Sequence, residues 1–381
     1  MDEELTACLA LNRVSGVGPA AFSNLFQYFS SASAVFKANR TQLSRIPDVS
    51  REVVNILLKG VEATNVELDI LWLEESPCHQ VVFFQQPDYP ELLARIHRPP
   101  PVLFLKGDAE LLHSPQLSIV GSRNPTPGGI ENARAFSTEL AVCGLTITSG
   151  LAAGIDGAAH QGALDAKVGT GNSGKTIAVA ATGLDRIYPS HHRELAYRIV
   201  ENGLLVSEFP VGTGPLQSNF PRRNRVISGL SLGTLVVEAA KRSGSLISAR
   251  CAMEQGREVF AIPGSIHSPQ SRGCHWLIKQ GAKLVETAED IAEEILMVLP
   301  DVSEEHRDTG GNSKNESIIM ASDLPEQERL LMDALGYDPV TLDKLISRTA
   351  MHIDELSANL SQLELKGLID SLPGGRYSRK N

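Results

Sequence analysis

Long apolar runs are missing from this 381-residue chain: none reaches the ~20 residues a membrane helix needs, so no membrane partner is expected. The basic-then-apolar order of a signal peptide is missing too, since the chain opens Met1-Asp2-Glu3-Glu4. Cysteine is sparse: Cys8, Cys78, Cys143, Cys251 and Cys274 are odd in number and never spaced Cys-x-x-Cys. That pattern argues against a metal site and reads as reduced thiols in a cytoplasmic protein. Positive charge is also short, with 35 Lys/Arg against 45 Asp/Glu, a net charge of −10. What remains, 42% hydrophobic and 21% charged residues, is the composition of an ordinary globular protein, and the length predicts two or three domains.

Against this acidic background one stretch is basic. From Asn219 to Arg250 there are six Lys/Arg (Arg222, Arg223, Arg225, Lys241, Arg242, Arg250) and one acid, Glu238, a net of +5. A basic island on an acidic chain points to a polyanion held at one place. Within it, Phe220-Pro221-Arg222-Arg223-Asn224-Arg225 sets an aromatic ring and three guanidiniums around a proline suited to a first helical turn. Arg222 and Arg225 fall on one helix face, with Val226, Ile227 and Leu230 turned inward. Phe220 can stack on an unpaired base or plug the core.

The chain divides into segments. Residues 1–75 read as a small helical unit whose Val14-Ser15-Gly16-Val17-Gly18-Pro19 turn outlines a helix-hairpin-helix. Glycine there lets backbone N–H groups approach a phosphate, although a tight turn in a protein-contact domain fits the same residues. Residues 80–298 alternate β-branched runs with helical stretches. Strands are expected at Pro101–Lys106, Gln116–Val120, Leu145–Thr148, Thr176–Ala181, Leu204–Ser207, Thr234–Val237, Glu258–Ile262 and Lys283–Val285. Such a pattern predicts an α/β fold, a mostly parallel sheet covered on both faces, with ligands at the strand carboxyl ends where strand order reverses. Residues 301–323 carry six acids and two bases without periodicity and read as a linker. Residues 324–381 give three helices and a Gly-rich ribbon, the outline of a winged helix. Nine acids against seven bases do not favour DNA binding by this module, and a protein-docking wing fits as well.

One motif is a decoy. Gly169-Thr170-Gly171-Asn172-Ser173-Gly174-Lys175-Thr176 has the G-x-x-x-x-G-K-[ST] spacing of a triphosphate loop. That mechanism needs a strand before and a helix after, and here a helix precedes and a strand follows. Three other loops are better placed. Gly121-Ser122-Arg123 ends a strand with close-approach glycine, hydroxyl and forked donor. Ser149-Gly150 opens a second strand-to-helix turn, without the G-x-G-x-x-G of a dinucleotide site. Phe220–Arg225 is the third. Ser243-Gly244-Ser245 opens a further helix whose hydroxyls face the same strand-end surface. Asp156 and His160, four apart on a helix, read as a first-turn acid and a locally hydrogen-bonded histidine rather than a metal pair.

Several motifs in order carry a family resemblance: Ser149-Gly150-Leu151 through Gly154-Ile155-Asp156, Gly183-Leu184-Asp185 with Tyr188-Pro189, Phe220-Pro221, Arg223-Asn224-Arg225, Ser243-Gly244-Ser245-Leu246 and Pro263-Gly264. Over about residues 80–298 the chain resembles the DNA-processing protein A family (DprA, or Smf). The resemblance implies a Rossmann-like doubly wound sheet, flanked by an N-terminal SAM/helix-hairpin-helix-like domain and a C-terminal winged helix. It implies a cytoplasmic protein without catalytic residues, cofactor or metal. Such a protein binds single-stranded DNA during natural transformation, loads the recombinase RecA and forms a homodimer through the Rossmann-like domain. Gly121, Ser122, Arg123, Phe220, Arg222, Arg223 and Arg225 match the family's DNA pocket, and Ser149, Gly150, Lys241, Ser243 and Ser245 complete the expected set. Two places depart from the family pattern: a longer Val168–Lys175 loop, and His275 where Asn is common.

The alternative is a nucleotide phosphoribohydrolase-like enzyme on a related sheet. Its Gly-Gly-x-Gly-Thr-x-x-Glu loop has an outline in Gly233-Thr234-Leu235-Val236-Val237-Glu238. The glutamate comes one residue late, which on a strand turns it to the opposite face.

Overall fold

Near-continuous apolar strands need cover on both faces, and the computed structural model of the chain provides it. It describes residues 2–168, 172–296, 325–335, 339–372 and 374–379, which fall in two compact units, 1–300 and 301–381. The expected linker lies outside the described residues.

The first unit is built on a nine-stranded sheet. Its chain carries β1 (His79–Phe83), β2 (Val102–Gly107), β3 (Gln116–Val120), β4 (Thr146–Ser149), the small pair β5 (Lys167–Val168) and β6 (Asn172–Ser173), β7 (Thr176–Val179), β8 (Leu204–Ser207), β9 (Gly233–Val236), β10 (Glu258–Ala261) and β11 (Lys283–Leu284). The order across the sheet is β1-β2-β8-β7-β4-β3-β9-β10-β11. From β8 to β11 every pairing is parallel, while β1 and β2 join antiparallel at one edge. Order runs outward from β3 to β8 and then restarts beside β3 with β9. The β3/β9 junction is therefore the reversal point, where a crevice opens at the strand carboxyl ends. All eight expected strands are present; β1 was not anticipated, since after His79 and Gln80 it has only the three apolar residues Val81–Phe83.

Alternation along the strands feeds two cores. Val120, Val179 and Val206 pack under the helices Asn219–Leu230 and Ser245–Glu254, through Val226, Ile227, Leu230 and Ala249. Leu117, Ile119 and Ile147 pack under the helices Pro127–Val142 and Ile155–Asp165, through Phe136, Leu140 and Ala159. Each such fully buried aliphatic side chain contributes about 1.5–3 kcal/mol.

The N-terminal helices are continuous with this body rather than set apart from it. Leu9, Leu25 and Trp72 share one buried cluster with Phe104 of β2 and Leu205 of β8. Trp72 lies flat on His79, ring centres 4.1 Å apart. A buried ion pair fixes the junction: Arg13 donates to both oxygens of Asp69, at 2.6 and 2.7 Å, and to the Val211 carbonyl, while Asp69 also accepts from Val211 N–H at 3.0 Å. The hairpin turn has Gly16 at φ +89°, where a Cβ would sit 2.9 Å from Val53 Cγ2.

The decoy motif runs from beyond β5 through β6 to the first residue of β7, with residues 169–171 outside the described set. Helix Ile155–Asp165 precedes it and β7 follows, so no helix start faces it. Thr176 is buried with its hydroxyl given to Ile147 O. The second unit has the helices Glu326–Leu335, Leu342–Thr349 and Ile353–Leu365. With them goes an antiparallel sheet of β12 (Val340–Thr341), β13 (Ile369–Leu372) and β14 (Arg376–Arg379), ordered β12-β14-β13: a winged helix around Leu331, Leu345, Leu360 and Ile369. No helix among the described residues is long and apolar enough to cross a membrane.

Removing one member of the Arg13–Asp69 pair strands a buried charge. Arg13→Ala should lower the stability of residues 1–300 by about 3–5 kcal/mol in urea denaturation, and an Arg13→Met/Asp69→Leu double variant should recover most of it. A loss below about 1 kcal/mol for Arg13→Ala would mean the pair does not hold the helices to the sheet.

Candidate functional site

A pocket of about 700 Å³ opens at the β3/β9 reversal point. Six expected residues line it: Gly121, Arg123, Phe220, Arg223, Ser243 and Ser245. Three helices begin at its walls, Ile155–Asp165, Asn219–Leu230 and Ser245–Glu254, with their first N–H groups given to Ser122 O, Leu216 O and Ser243 Oγ. Their dipoles turn partial positive charge toward the pocket and make it favourable to anions.

The floor is a buried arginine. Arg223 is 3% exposed and donates through Nη1 to the Val179 carbonyl at 2.7 Å, while its Nε has no partner among the described residues. Burial pulls its guanidinium down to about 10, opposed by the neighbouring Asp156 carboxylate, so it stays charged at neutral pH. Burial likewise pushes the Asp156 carboxyl up, against the pull of Arg223 and Arg123. Gly150 makes room for this arginine, since a Cβ there would lie 1.8 Å from Arg223 Nη1.

The mouth is aromatic and cationic. Phe220 is half-buried, with Arg123 over its ring at 5.2 Å and Tyr188 meeting it edge-on at 5.7 Å. Phe220 is therefore a pocket wall and not a core plug. Tyr188, 48% exposed, belongs to the lining and was absent from the expected set, as were Asp156, Asn224 and Ile247. A Tyr-Pro pair far along the chain carries no local sign of which loop it will meet.

Other expected residues serve from behind. Ser149 is buried and gives its hydroxyl to Ile119 O; Ser122 accepts from Asn124 N–H through Oγ and from Ile155 N–H through its carbonyl. Gly121 clears Ile155, whose Cγ1 a Cβ would approach to 2.6 Å. Ser243 and Ser245 share a 2.7 Å hydroxyl contact at the pocket rim. Lys241 is exposed and outside the lining.

Arg222 and Arg225 correct the expected picture. Both turn away from the pocket and meet Glu208 Oε2, at 3.1 and 2.5 Å, and Arg225 also donates to Arg98 O. Helical spacing placed them together on one face, and the face they share looks onto a buried carboxylate. It is Arg223, between them, that enters the pocket.

Glu238, the residue in the position of a hydrolase glutamate, accepts from Thr126 N–H at 2.9 Å and from its hydroxyl at 2.6 Å, and does not line the pocket. Its Oε2 lies 2.7 Å from where a Cβ on Gly129 would stand. His160 is buried with Nδ1 sharing a 2.7 Å hydrogen bond with Thr176 Oγ1 of β7, a partner on the sheet rather than the local one expected. His275 Nε2 is 3.0 Å from Gly264 O. Burial pushes the Cys8 and Cys274 thiols up to about 12, which leaves both unreactive.

The model of the DNA recombination-mediator protein A family matches residues 80–296, and that of the DprA winged helix domain matches residues 320–375. Protein Smf of Escherichia coli is 45% identical over 315 residues, covering 82% of this chain and 80% of its own. The X-ray structure of DNA processing protein A from Streptococcus pneumoniae is similar with a TM-score of 0.66 and 35% identity, over 77% of this chain and 99% of that one. A structure of DNA processing protein A from Helicobacter pylori, described for its single-stranded DNA binding mode, is similar with a TM-score of 0.51 and 29% identity, over 57% and 97%.

Two outcomes are expected of the site's framework. Gly150→Ala should cost about 1–3 kcal/mol by displacing Arg223, whereas Gly128→Ala, whose Cβ meets only Thr126 Oγ1 at 3.9 Å, should be near neutral; equal urea midpoints for the two would refute the cradle. His160 is pushed down from 6.5 to about 3 by burial, with His192 and Arg223 adding to the effect. Below its ordinary value the unfolded chain takes up a proton that the folded chain refuses. Its contribution to stability should therefore fall as pH drops from about 6.5 toward 3, by up to about 1.4 kcal/mol per pH unit. His160→Gln should flatten that slope, and a slope identical to the parent's would remove His160 from it.

Proposed function

The chain belongs to the DNA recombination-mediator protein A family, and from that premise we propose that its strand-end pocket binds single-stranded DNA. The observation that carries this reading is Arg123 held 5.2 Å over the Phe220 ring at the mouth of a pocket where three helices begin. A base can stack on such a ring only when it is unpaired, and stacking of this kind is indifferent to base identity. The helix starts, Arg123 and Arg223 neutralise phosphates. Gly121, Ser122, Ser149 and Gly150 set the geometry, and Ser243 and Ser245 offer hydroxyls at the rim. Lys241 adds charge beside them. Arg222 and Arg225 act through Glu208, keeping the helix that carries Phe220 and Arg223 in place.

In this reading the protein works in the cytoplasm on DNA taken up during natural transformation, protects it and hands it to RecA. A homodimer through the Rossmann-like unit sets two such pockets on one strand. Support for these wider steps is family membership alone. Glu238, the residue the phosphoribohydrolase alternative would use, is engaged by Thr126 and lies outside the pocket lining.

Anisotropy titrations of a fluorescent oligo-dT at several salt concentrations test the reading. Phe220→Ala should weaken binding by about 1–3 kcal/mol at unchanged folding stability. Arg123→Ala should weaken it with a salt slope shallower by about one. Arg225→Ala should lose folding stability first. Affinity unchanged by both Phe220→Ala and Arg123→Ala, or equal affinity for duplex DNA, would defeat the proposal.

A further inference from the structure

The loop that follows the short helix Glu91–Ala94 carries Arg95, His97 and Arg98, all exposed, and the short helix packs against the Asn219–Leu230 helix. Several contacts fix it there. Leu93 and Ile96 close on Gly229, where a Cβ would meet them at 2.7 and 3.1 Å. Arg225 donates to the Arg98 carbonyl at 2.8 Å, and Arg257 donates to the Leu92 carbonyl at 2.9 Å. Arg98 itself is held at φ +57°, a left-handed backbone that residues with a side chain seldom adopt.

These contacts gather five guanidiniums, those of Arg95, Arg98, Arg222, Arg225 and Arg257, beside the helix that carries Phe220. Two carboxylates pair with them: Glu91 with Arg95, and Glu208 with both Arg222 and Arg225. Five cations less two anions leaves three positive charges, on a chain whose net charge is −10. The Arg98 side chain has no partner among the described residues, and the side chains of Arg95 and Arg222 are 66% and 48% exposed. Burial pulls the Arg257 guanidinium down and Arg95 beside it adds to that, so like charges already press on one another. Such crowding costs free energy that a bound anion offsets. A row of forked donors suits phosphates in particular. The row also begins where the main pocket ends, since Arg222 is two residues from Phe220 at the start of the same helix.

We propose that this arginine ridge carries the phosphate backbone of the single strand as it leaves the main pocket, from Arg222 past Arg98 to Arg95. The proposal rests on the single-strand reading of that pocket. It divides the work between two surfaces. The pocket takes an unpaired base on Phe220, and the ridge neutralises phosphates without touching bases, so affinity grows with strand length and not with sequence.

The test compares two fluorescent oligo-dT strands by anisotropy: the shortest one whose affinity Phe220→Ala still weakens, and a longer one. The double variant Arg95→Gln/Arg98→Gln keeps both stems and should fold as the parent does. It should weaken the long strand about fivefold to twentyfold, make its salt slope shallower by about 1.4, and leave the short strand unchanged. Arg51→Gln/Lys59→Gln, which removes two exposed charges from the N-terminal helices, should bind both strands as the parent does. For the parent, a long strand with uncharged methylphosphonate linkages beyond the short footprint should bind no better than the short one. If Arg95→Gln/Arg98→Gln binds the long strand with the parent's affinity and slope while Phe220→Ala still weakens it, the ridge serves another acidic partner; the proposal is refuted and the main pocket stands. An equal loss in Arg51→Gln/Lys59→Gln would refute it too, as a general effect of net charge. If Phe220→Ala weakens neither strand, both readings fall together.

Discussion

The guanidinium of Arg223 is the constraint around which the site is arranged. A charged group 3% exposed has to be met on every side, and the Val179 carbonyl, the Asp156 carboxylate and the open space over Gly150 each answer part of that demand. Val179 ends β7, Gly150 follows β4, and Asp156 lies in the first turn of the next helix, so one side chain ties together three consecutive pieces of the sheet's carboxyl edge. Because Arg223 must point down, its helix is fixed in rotation. Phe220 is thereby carried to the pocket mouth and Arg222 and Arg225 to the far side.

On that far side Glu208 takes the part that Asp156 takes within. It binds two arginines through one oxygen and lies against the N-terminal hairpin turn. Arg13 and Asp69 form a third buried pair a short way off, bridging to Val211. Buried pairs of this kind add little net stability compared with apolar residues of the same size, but losing one partner is expensive. Their consequence is positional. They hold the N-terminal helices, the Asn219–Leu230 helix and the strand ends in one arrangement, where hydrophobic packing alone would tolerate small slides.

Much of this was legible in the chain. Strands buried on both faces, such as Leu117–Val120 and Ile177–Val179, show as apolar runs because both of their sides need cover, and all eight expected strands are present. That a ligand would sit at the strand carboxyl ends followed from alternating strands and helices, whereas the reversal between β3 and β9 came from the strand order alone. The edge strand β1 was missed because it opens on His79 and Gln80 and has only three apolar residues, and an edge needs only partial burial. The triphosphate-like loop was correctly set aside, because its helix and strand came in the wrong order for the chemistry. Among the site residues, Arg123, Phe220 and Arg223 were found through local composition, whereas Tyr188 and Asn224 had no local sign to mark them.

The sequence by itself determined the class of fold, the strand-end location of the pocket and the chemical character of its walls, because these follow from periodicity and composition within short windows. Only the tertiary structure decided which of three neighbouring arginines enters the pocket. It also decided that Gly150 serves Arg223 and that the N-terminal hairpin faces Glu208. Helical spacing tells which residues share a face, but not what that face meets. The meeting depends on partners 14 to 127 positions away, from Glu208 with Arg222 to Arg98 with Arg225, and only the folded sheet brings them together.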